Sequence, residues 1–406
     1  MVAAAGPADV AEPRADDQRA GPGGWLPPVA LYLGVLAVLL VVSWQVASHV
    51  DPPVNRGERA FAGGWFWDGW LRWDGGWYRS IAEHGYFYVP GAQSSVAFFP
   101  GYPLTIRVVG RAIDNVPLAG MLTTIVCGLG VLVLFWRWCR ARMSPGDALV
   151  ALGLLALYPY AWYLYGAVYG DALFVLTALG AFTLLEHDRP VLAGIAGAAA
   201  TFTRLVGVAV FVGLVLLVLE RRGALVGRRR FGLPRRIELS RLRRGDAGVL
   251  LSLGGLATWS LWLWHRYGDP LLFSSVQAAW DQPASLRTWL KIDFGASLLH
   301  GSDRLYSGGL VVQATIALAV LAATPFVARR FGLGYGAYTF VLLVIPMIGS
   351  QAFQGLGRYC IGAFPAFALA AERLAAHRRA VPIVLAGCAV ALVVGTALFA
   401  DNRYLS

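Results

Sequence analysis

The sequence predicts an all-α protein that crosses a membrane many times, and three observations support this prediction. Of its 406 residues, 57% are hydrophobic and only 14% are charged, whereas a soluble domain carries about 25% charged residues. Apolar runs recur along the chain at lengths that suit an α-helix spanning a bilayer core of about 30 Å. The basic residues cluster in short tracts between these runs. A soluble globular protein is therefore excluded.

The apolar runs divide the chain into a tail and a single membrane domain. Residues 1–24 are rich in Ala, Gly, Pro and Asp and contain no apolar run, so they predict a disordered cytoplasmic tail. Residues 25–400 form the predicted membrane domain, which begins with an apolar run at 26–47. Residues 48–96 are the longest stretch without such a run. Residues 97–113 are amphipathic and broken by prolines at their start, which favours a helix that lies in the membrane interface.

The rest of the chain supplies the remaining membrane-spanning segments. Apolar runs lie near 117–137, 147–165, 170–187, 190–219, 248–266, 308–328, 332–350, 357–374 and 380–399. The run at 190–219 is too long for one untilted crossing and carries Thr203-Arg204 near its middle. We expect two short helices that meet at this point.

The arginine tracts predict the orientation of the chain. They lie at 137–142, 220–247, 329–330 and 373–379. All four fall on one side if 97–113 does not cross the membrane and 190–219 crosses it twice, and the positive-inside rule makes that side cytoplasmic. The result is about 11 transmembrane helices, with the 48–96 loop and Asp171 outside and 220–247 as a basic cytoplasmic loop. A rival model lets 97–113 cross and counts 190–219 once, which moves Asp171 inside.

Charge and cysteine spacing argue against two other classes of protein. The formal net charge is +11, but its clustering between apolar runs indicates contact with membrane lipids and not with nucleic acid. The four cysteines lie in or beside apolar segments without the spacing of a zinc site or a disulfide framework. They are Cys127, Cys139, Cys360 and Cys388. We expect no metal site and no cofactor.

The 48–96 loop concentrates aromatic and acidic residues. Five tryptophans occur in the thirteen residues 65–77, together with Asp68, Asp74 and a pair of glycines. An aromatic belt at the membrane surface explains the tryptophans but neither the acids nor the glycines. A sugar or lipid-headgroup site explains all of them, because aromatic faces stack on a sugar ring while a carboxylate takes a hydroxyl proton. A short helix is predicted from Trp77 to a glycine stop at Gly85.

These residues also carry a family resemblance. The string at 72–86, Arg-Trp-Asp-Gly-Gly-Trp-Tyr-Arg-Ser-Ile-Ala-Glu-His-Gly-Tyr, is followed at 97–103 by Ala-Phe-Phe-Pro-Gly-Tyr-Pro. This pattern resembles the signature loop of the PIG-V family, the GPI mannosyltransferase II enzymes and their bacterial relatives. Weaker similarities follow at Tyr158-Pro159, Tyr169-Gly170-Asp171, 203–207, Gly268-Asp269-Pro270 with Gln277 and Trp280, Arg358-Tyr359 and Phe364-Pro365.

The resemblance implies a GT-C type glycosyltransferase. Such an enzyme is a polytopic helical protein with its active site on the outer face, and it uses a polyprenyl-phosphate sugar, usually with inversion. The position that matches the catalytic acid of the family is Asp74. The family more often has Tyr-Ser-Glu where this chain has Tyr169-Gly170-Asp171, so the acid is one methylene shorter here.

Roles for individual residues follow from this chemistry. Asp74 is the predicted catalytic base. Arg204 and Arg358 are predicted to bind the donor phosphate, because an arginine in an apolar segment usually marks a polar cavity; structural pairing with acids such as Asp171 is the alternative. The predicted substrate-binding residues are Asp68, Trp73, Trp77, Tyr78, His84, Tyr86, Asp171, Gln277, Trp280 and Tyr359. A lone histidine such as His84 is more often a hydrogen-bonded structural residue, and an interfacial belt explains Gln277 and Trp280 equally well.

The sequence thus predicts an integral mannosyltransferase of the cell membrane whose active site faces the extracytoplasmic side. It would transfer mannose from a polyprenyl-phosphate-mannose donor to a glycolipid, lipoglycan or protein acceptor. A GT-C enzyme of arabinosyl or glucosyl specificity is an alternative. A secondary transporter is a further one, but transporters hold their substrates near the membrane midplane, whereas this chain concentrates acids and aromatic residues in one outer loop.

Overall fold

The described part of the chain is mainly helical. The computed structural model describes residues 24–49, 65–228, 234–280, 282, 285–300 and 304–403. The predicted tail at 1–24, apart from its last residue, and part of the 48–96 loop lie outside these residues. Within them, the chain forms 18 α-helices, several 3₁₀ segments and one small hairpin of two strands. The predicted all-α fold class is confirmed.

The helices follow the predicted apolar runs closely. They are α1 Leu26–Ala47, α2 Asp74–His84, α3 Gly101–Ile113, α4 Val116–Arg140, α5 Pro145–Ala156, α6 Trp162–Tyr165, α7 Asp171–Glu186, α8 Pro190–Thr203, α9 Val208–Arg221, α10 Gly254–Tyr267, α11 Leu272–Ser275, α12 Leu286–Trp289, α13 Ile292–His300, α14 Arg304–Phe331, α15 Leu333–Gly349, α16 Leu356–Tyr359, α17 Phe364–Ala375 and α18 Ala380–Ala400. The strands are β1 Leu225–Arg228 and β2 Pro234–Ile237.

Several helices have the length and composition of membrane spans. Among the described residues, five helical stretches are long and apolar enough to cross a membrane: α1, α4, Arg244–Tyr267, α14 and α18. Three further apolar helices, α5, α8 and α15, are shorter. These helices identify the chain as a membrane protein. The predicted number of about 11 crossings and the side on which each loop lies stay predictions.

Two local predictions are confirmed. The run at 190–219 is divided where expected, because α8 ends at Thr203 and α9 begins at Val208 after a 3₁₀ turn. Arg204 lies between them in an extended conformation, with φ −155° and ψ 147°. The helix predicted within the 48–96 loop begins at Asp74, three residues earlier than predicted, and ends before Gly85, whose φ is +90°.

The packing of the longer helices brings several helix ends together. In the core, α7 packs against α4 and α8, and α9 and α14 both pack against α15. At one end of this core, α3 begins against the end of α8. A methyl group in place of a Gly101 hydrogen would lie 2.8 Å from the Cα of Thr203, so only glycine permits this approach. The ends of α2, α7, α8 and α16 meet beside this contact.

The basic loop at 220–247 contains structure that the sequence did not predict. Its strands β1 and β2 pair antiparallel, with Leu225 opposite Ile237. Arg222 closes the base of the hairpin by donating hydrogen bonds to Asp188, at 2.6 Å, and to Asp246, at 2.8 Å. This part of the chain is therefore a folded element held by ion pairs.

Candidate active site

Four charged side chains from distant parts of the chain form one ion network. Arg204 Nη1 donates a hydrogen bond of 2.7 Å to Asp171 Oδ1. Arg358 Nη1 donates one of 3.1 Å to Asp74 Oδ2, and its Nε lies 3.8 Å from Asp171 Oδ1. The network thus runs from Arg204 through Asp171 and Arg358 to Asp74. With two carboxylates and two guanidinium groups, its formal charge is zero.

Helix ends position these side chains. Asp74 is the first residue of α2, Asp171 is the first residue of α7, and Arg204 follows the last residue of α8. A carboxylate at a helix N-terminus and a guanidinium at a C-terminus are each stabilised by the helix dipole. Arg358 reaches the network from the short helix α16.

The network is buried at one end and open at the other. The side chain of Asp171 is 3% exposed and those of Arg204 and Arg358 are 9% and 10% exposed, whereas that of Asp74 is 32% exposed. Two buried atoms of the network, Asp171 Oδ2 and Arg358 Nε, form no hydrogen bond with another described residue. Because buried polar groups are nearly always hydrogen-bonded, this part of the network has capacity to bind a further polar group.

Three tyrosine rings surround the guanidinium of Arg358. The rings of Tyr163, Tyr169 and Tyr359 have centroids 5.5, 5.2 and 5.6 Å from its Cζ. Tyr359 also lies 5.0 Å from the Cζ of Arg204. These cation–π contacts hold both guanidinium groups in an environment with little water. The position of Tyr359, beside both guanidinium groups, agrees with its predicted place at the site.

A second group of aromatic rings includes Trp77, which lies on the same helix as Asp74. Trp77 stacks on Phe98 with ring centroids 5.8 Å apart, and its edge contacts Trp280 at 4.9 Å. Trp280 also contacts Phe98, at 5.5 Å. The predicted residues Trp77 and Trp280 are thus brought together although 202 positions separate them in the chain.

Tyr78 joins the two aromatic groups. It is buried and packs edge-on against Phe98 at 5.3 Å, Tyr102 at 5.2 Å and Tyr169 at 5.9 Å. Burial raises the pKa of Tyr78 to about 12, so its hydroxyl is neutral at physiological pH.

The ion pairs of the network described above involve neither Asp68 nor His84. Asp68 is close to Arg72, whose guanidinium donates hydrogen bonds of 3.1 and 2.7 Å to the carbonyl of Ala400. Burial lowers the pKa of Arg72, and the charge of Asp68 opposes that shift. His84 is exposed at the far end of α2, about 15 Å along the helix axis from Asp74.

Tyr86 and Gln277 are engaged in local structure. Tyr86 packs against Trp259 at 4.7 Å, and its hydroxyl donates a hydrogen bond of 3.1 Å to the carbonyl of Phe98. The side-chain amide of Gln277 donates a hydrogen bond of 3.0 Å to the carbonyl of Phe273, one turn earlier. These contacts favour positioning roles for both residues.

The residues predicted for the site did not include two tyrosines that lie beside Arg358. Tyr163 lacked any local signal, whereas Tyr169 belongs to the Tyr169-Gly170-Asp171 string of the family resemblance but was given no role. The hydroxyl of Tyr169 accepts a hydrogen bond of 3.0 Å from the backbone N–H of Asp74. The predicted residue Trp73 lies between Arg72 and Asp74, is half-buried and packs against the main core.

No group of three or more His, Cys, Asp and Glu side chains suited to a metal ion occurs in the part of the chain that the structure describes.

Known proteins with similar sequences are mannosyltransferases. The chain is 33% identical over 161 residues to GPI alpha-1,6-mannosyltransferase 2 of Cricetulus griseus, a match over 36% of this chain and 31% of the relative. It is 32% identical over 101 residues to GPI mannosyltransferase 2 of Drosophila melanogaster, over 25% of this chain and 20% of that protein. The resemblance to the PIG-V family is confirmed. The chain spans about a third or less of the length of these relatives.

No family model matches the chain. Among solved structures, ArnT from Cupriavidus metallidurans, bound to undecaprenyl phosphate, aligns with a TM-score of 0.48 at 16% identity, over 95% of this chain and 77% of that one. AglB from Archaeoglobus fulgidus, in complex with an inhibitory peptide and a dolichol-phosphate, aligns with a TM-score of 0.41 at 13% identity, over 92% and 56%. The family resemblance rests on the mannosyltransferase sequences.

Proposed function

We propose that the chain is an integral membrane mannosyltransferase of the GT-C type. In this proposal it transfers mannose from a polyprenyl-phosphate-mannose donor to a lipid-linked or glycan acceptor on the extracytoplasmic side of the cell membrane. The observation that carries the proposal is the open carboxylate of Asp74, in the motif that resembles the PIG-V signature, paired with the buried guanidinium of Arg358. The names of the similar proteins support mannose as the sugar.

In the proposed mechanism, Asp74 acts as the general base. Its carboxylate takes the proton of an acceptor hydroxyl while the hydroxyl oxygen forms a bond to C1 of the sugar. The bond between C1 and the phosphate oxygen breaks at the same time, and the phosphate leaves on its lipid with the electron pair. Attack from the face opposite the phosphate inverts the configuration at C1.

Arg358 stabilises the departing phosphate in this scheme. Its Nε forms no hydrogen bond with another described residue, and its Nη1 is held by the more exposed of the two acids. A donor phosphate therefore competes with Asp74 for the same guanidinium. Binding of the donor would release the Asp74 carboxylate and leave it free to accept a proton when both substrates are present. Trp77 and Trp280 offer aromatic faces for the acceptor sugar.

The acceptor is tested in cells. Glycolipids and lipoglycans from cells that lack the chain are compared with those from cells complemented by the wild type or by Asp74→Asn. We expect one mannosylated species to disappear, its precursor with one hexose fewer to accumulate, and only the wild type to restore the product. Unchanged glycolipids, lipoglycans and glycoproteins in the deletion strain would contradict the proposed function.

The topology is tested by cysteine labelling. Gln93, Ala141 and Ser240 are exposed, and each is replaced by cysteine in a background that carries Cys388→Ala, because the other native cysteines are buried. A membrane-impermeant maleimide added to intact cells is expected to label position 93 alone, with positions 141 and 240 labelled only after lysis. Labelling of position 141 from outside would support the rival model, in which Asp171 lies inside.

Gly76 tests whether a substrate approaches the backbone beside Asp74. A methyl group added at Gly76 meets no atom within 4 Å, and alanine is favoured over glycine inside a helix by about 0.5–1 kcal/mol. We expect Gly76→Ala to keep or raise the melting temperature while it lowers turnover. The matched control is Gly34→Ala in α1, where an added methyl group also meets no atom and turnover should not change. Full activity of Gly76→Ala would show that no substrate occupies this space.

A further inference from the structure

We propose that Tyr169 is a positioning residue that fixes the carboxylate of Asp74 for proton transfer. Its buried hydroxyl accepts a hydrogen bond of 3.0 Å from the backbone N–H of Asp74 and donates one of 3.1 Å to the carbonyl of Arg72. One hydroxyl thus joins the residues on both sides of Trp73. The proposal rests on the role of Asp74 as the base and adds the group that holds this base in place.

The backbone at this point requires such support. Trp73 has φ +52° and ψ −119°, a conformation that a bulky residue rarely adopts and that persists only when the surroundings enforce it. Asp74 begins α2, so its N–H has no partner within the helix. The hydroxyl of Tyr169 supplies that partner and holds the turn from the other side through Arg72.

Tyr169 is itself held rigidly. It is fully buried, its ring packs edge-on against Tyr163 at 4.8 Å, and its backbone N–H donates a hydrogen bond of 2.7 Å to the carbonyl of Ala167. Next to it, the N–H of Val168 donates a hydrogen bond of 3.0 Å to the carbonyl of Trp70. This bond and the two hydrogen bonds of the Tyr169 hydroxyl connect the segment before α7 to the loop that carries the base.

The same residue sets the position of the base relative to its arginine. The ring of Tyr169 lies 5.2 Å from the guanidinium of Arg358, and Asp171, the second acid near that guanidinium, follows two residues later. The hydroxyl and the ring therefore have separable roles: the hydroxyl fixes the backbone of Asp74, and the ring packs on Arg358. Removing only the hydroxyl should displace the base without weakening the contact with the phosphate-binding arginine.

The test uses Tyr169→Phe, which keeps the ring and removes the hydroxyl. Because small displacements of a catalytic group cost up to about 10²-fold in rate, we expect kcat to fall about 10- to 100-fold while KM for polyprenyl-phosphate mannose stays within about twofold. The control is Tyr165→Phe, which removes a buried tyrosine hydroxyl that donates a hydrogen bond of 3.0 Å to the carbonyl of Ala156. The melting temperature of Tyr165→Phe should fall by about as much as that of Tyr169→Phe, while kcat of Tyr165→Phe stays unchanged.

Amide hydrogen exchange separates this proposal from the proposed function. Exchange in a peptide covering residues 73–78 should be faster in Tyr169→Phe than in the wild type and unchanged in Tyr165→Phe, whether or not the protein transfers mannose. Unchanged exchange at 73–78 would overturn the positioning role. A wild-type protein without transferase activity, but with the expected exchange pattern, would overturn the proposed function and leave Tyr169 only a structural role. Equal kcat in Tyr169→Phe and Tyr165→Phe would show that the hydrogen bonds of the Tyr169 hydroxyl do not contribute to catalysis.

Discussion

Asp74→Asn is expected to lower turnover by about 10²- to 10⁴-fold, the usual contribution of a positioned base. The amide has the shape of the carboxylate but cannot take the proton of an acceptor hydroxyl. Because Asp74 is the most exposed member of the network, its replacement should leave folding and donor binding largely intact. Turnover is measured with polyprenyl-phosphate mannose and protein purified in nanodiscs.

Asp68→Asn is the matched control for this variant. Asp68 lies in the same loop, six residues earlier, but its charge acts on Arg72 and it is not one of the four residues of the ion network. Its replacement should cost less turnover than that of Asp74. Near-normal turnover of Asp74→Asn together with an inactive Asp68→Asn would transfer the role of base to Asp68 and contradict the family correspondence at Asp74.

Arg358→Gln is expected to weaken the use of the donor by roughly 2–5 kcal/mol, the cost of leaving a buried charge partly unpaired. At about 1.4 kcal/mol per tenfold change, this is a loss of roughly 30- to several thousand-fold in donor affinity. The physical reason is the free hydrogen-bonding capacity of Arg358 in the described structure. Donor affinity is measured by competition with unlabelled polyprenyl phosphate at matched protein levels.

Arg204→Gln provides the comparison. The structure pairs Arg204 with the buried carboxylate of Asp171. Replacement of Arg204 should therefore destabilise the protein by about 3–5 kcal/mol, because the carboxylate of Asp171 loses the guanidinium that forms a hydrogen bond with it. Donor affinity equal to that of the wild type, with a lower melting temperature, would identify Arg204 as structural. A loss of donor affinity as large as that in Arg358→Gln would place both arginines on the phosphate. Unchanged donor affinity in Arg358→Gln would remove Arg358 from the donor site.

Local sequence patterns predicted most of the helices and the division of the long apolar run. The length of each apolar run, the arginine at 204 and the glycine at 85 are signals that act within a few residues, so they can be read without a structure. The hairpin of β1 and β2 was missed because its segment is dominated by arginines and shows no alternation of apolar and polar residues. There, pairing of Arg222 with two acids organises the loop.

The sequence suggested individual residues for the site but not the contacts among them. Asp74 and Arg358 are 284 positions apart and meet only because the first residue of α2 lies beside α16, which no local pattern encodes. The alternative that Arg204 pairs with Asp171 agrees with the observed ion pair. His84 belongs to the same motif as Asp74, yet α2 carries it to the opposite end of an 11-residue helix. Proximity in the sequence therefore does not place His84 near Asp74 in the structure.

The most direct test of the proposed activity is mannosyl transfer by the purified chain. Protein in nanodiscs is incubated with polyprenyl-phosphate mannose labelled in the sugar, together with a glycolipid and lipoglycan extract from cells that lack the chain. We predict that the label passes to an acceptor in the extract, that one polyprenyl phosphate is released for each mannose transferred, and that Asp74→Asn reduces both products together. Absence of transfer from the wild-type protein, with movement of a solute across liposomes that contain it, would contradict the proposed enzyme and favour a transporter.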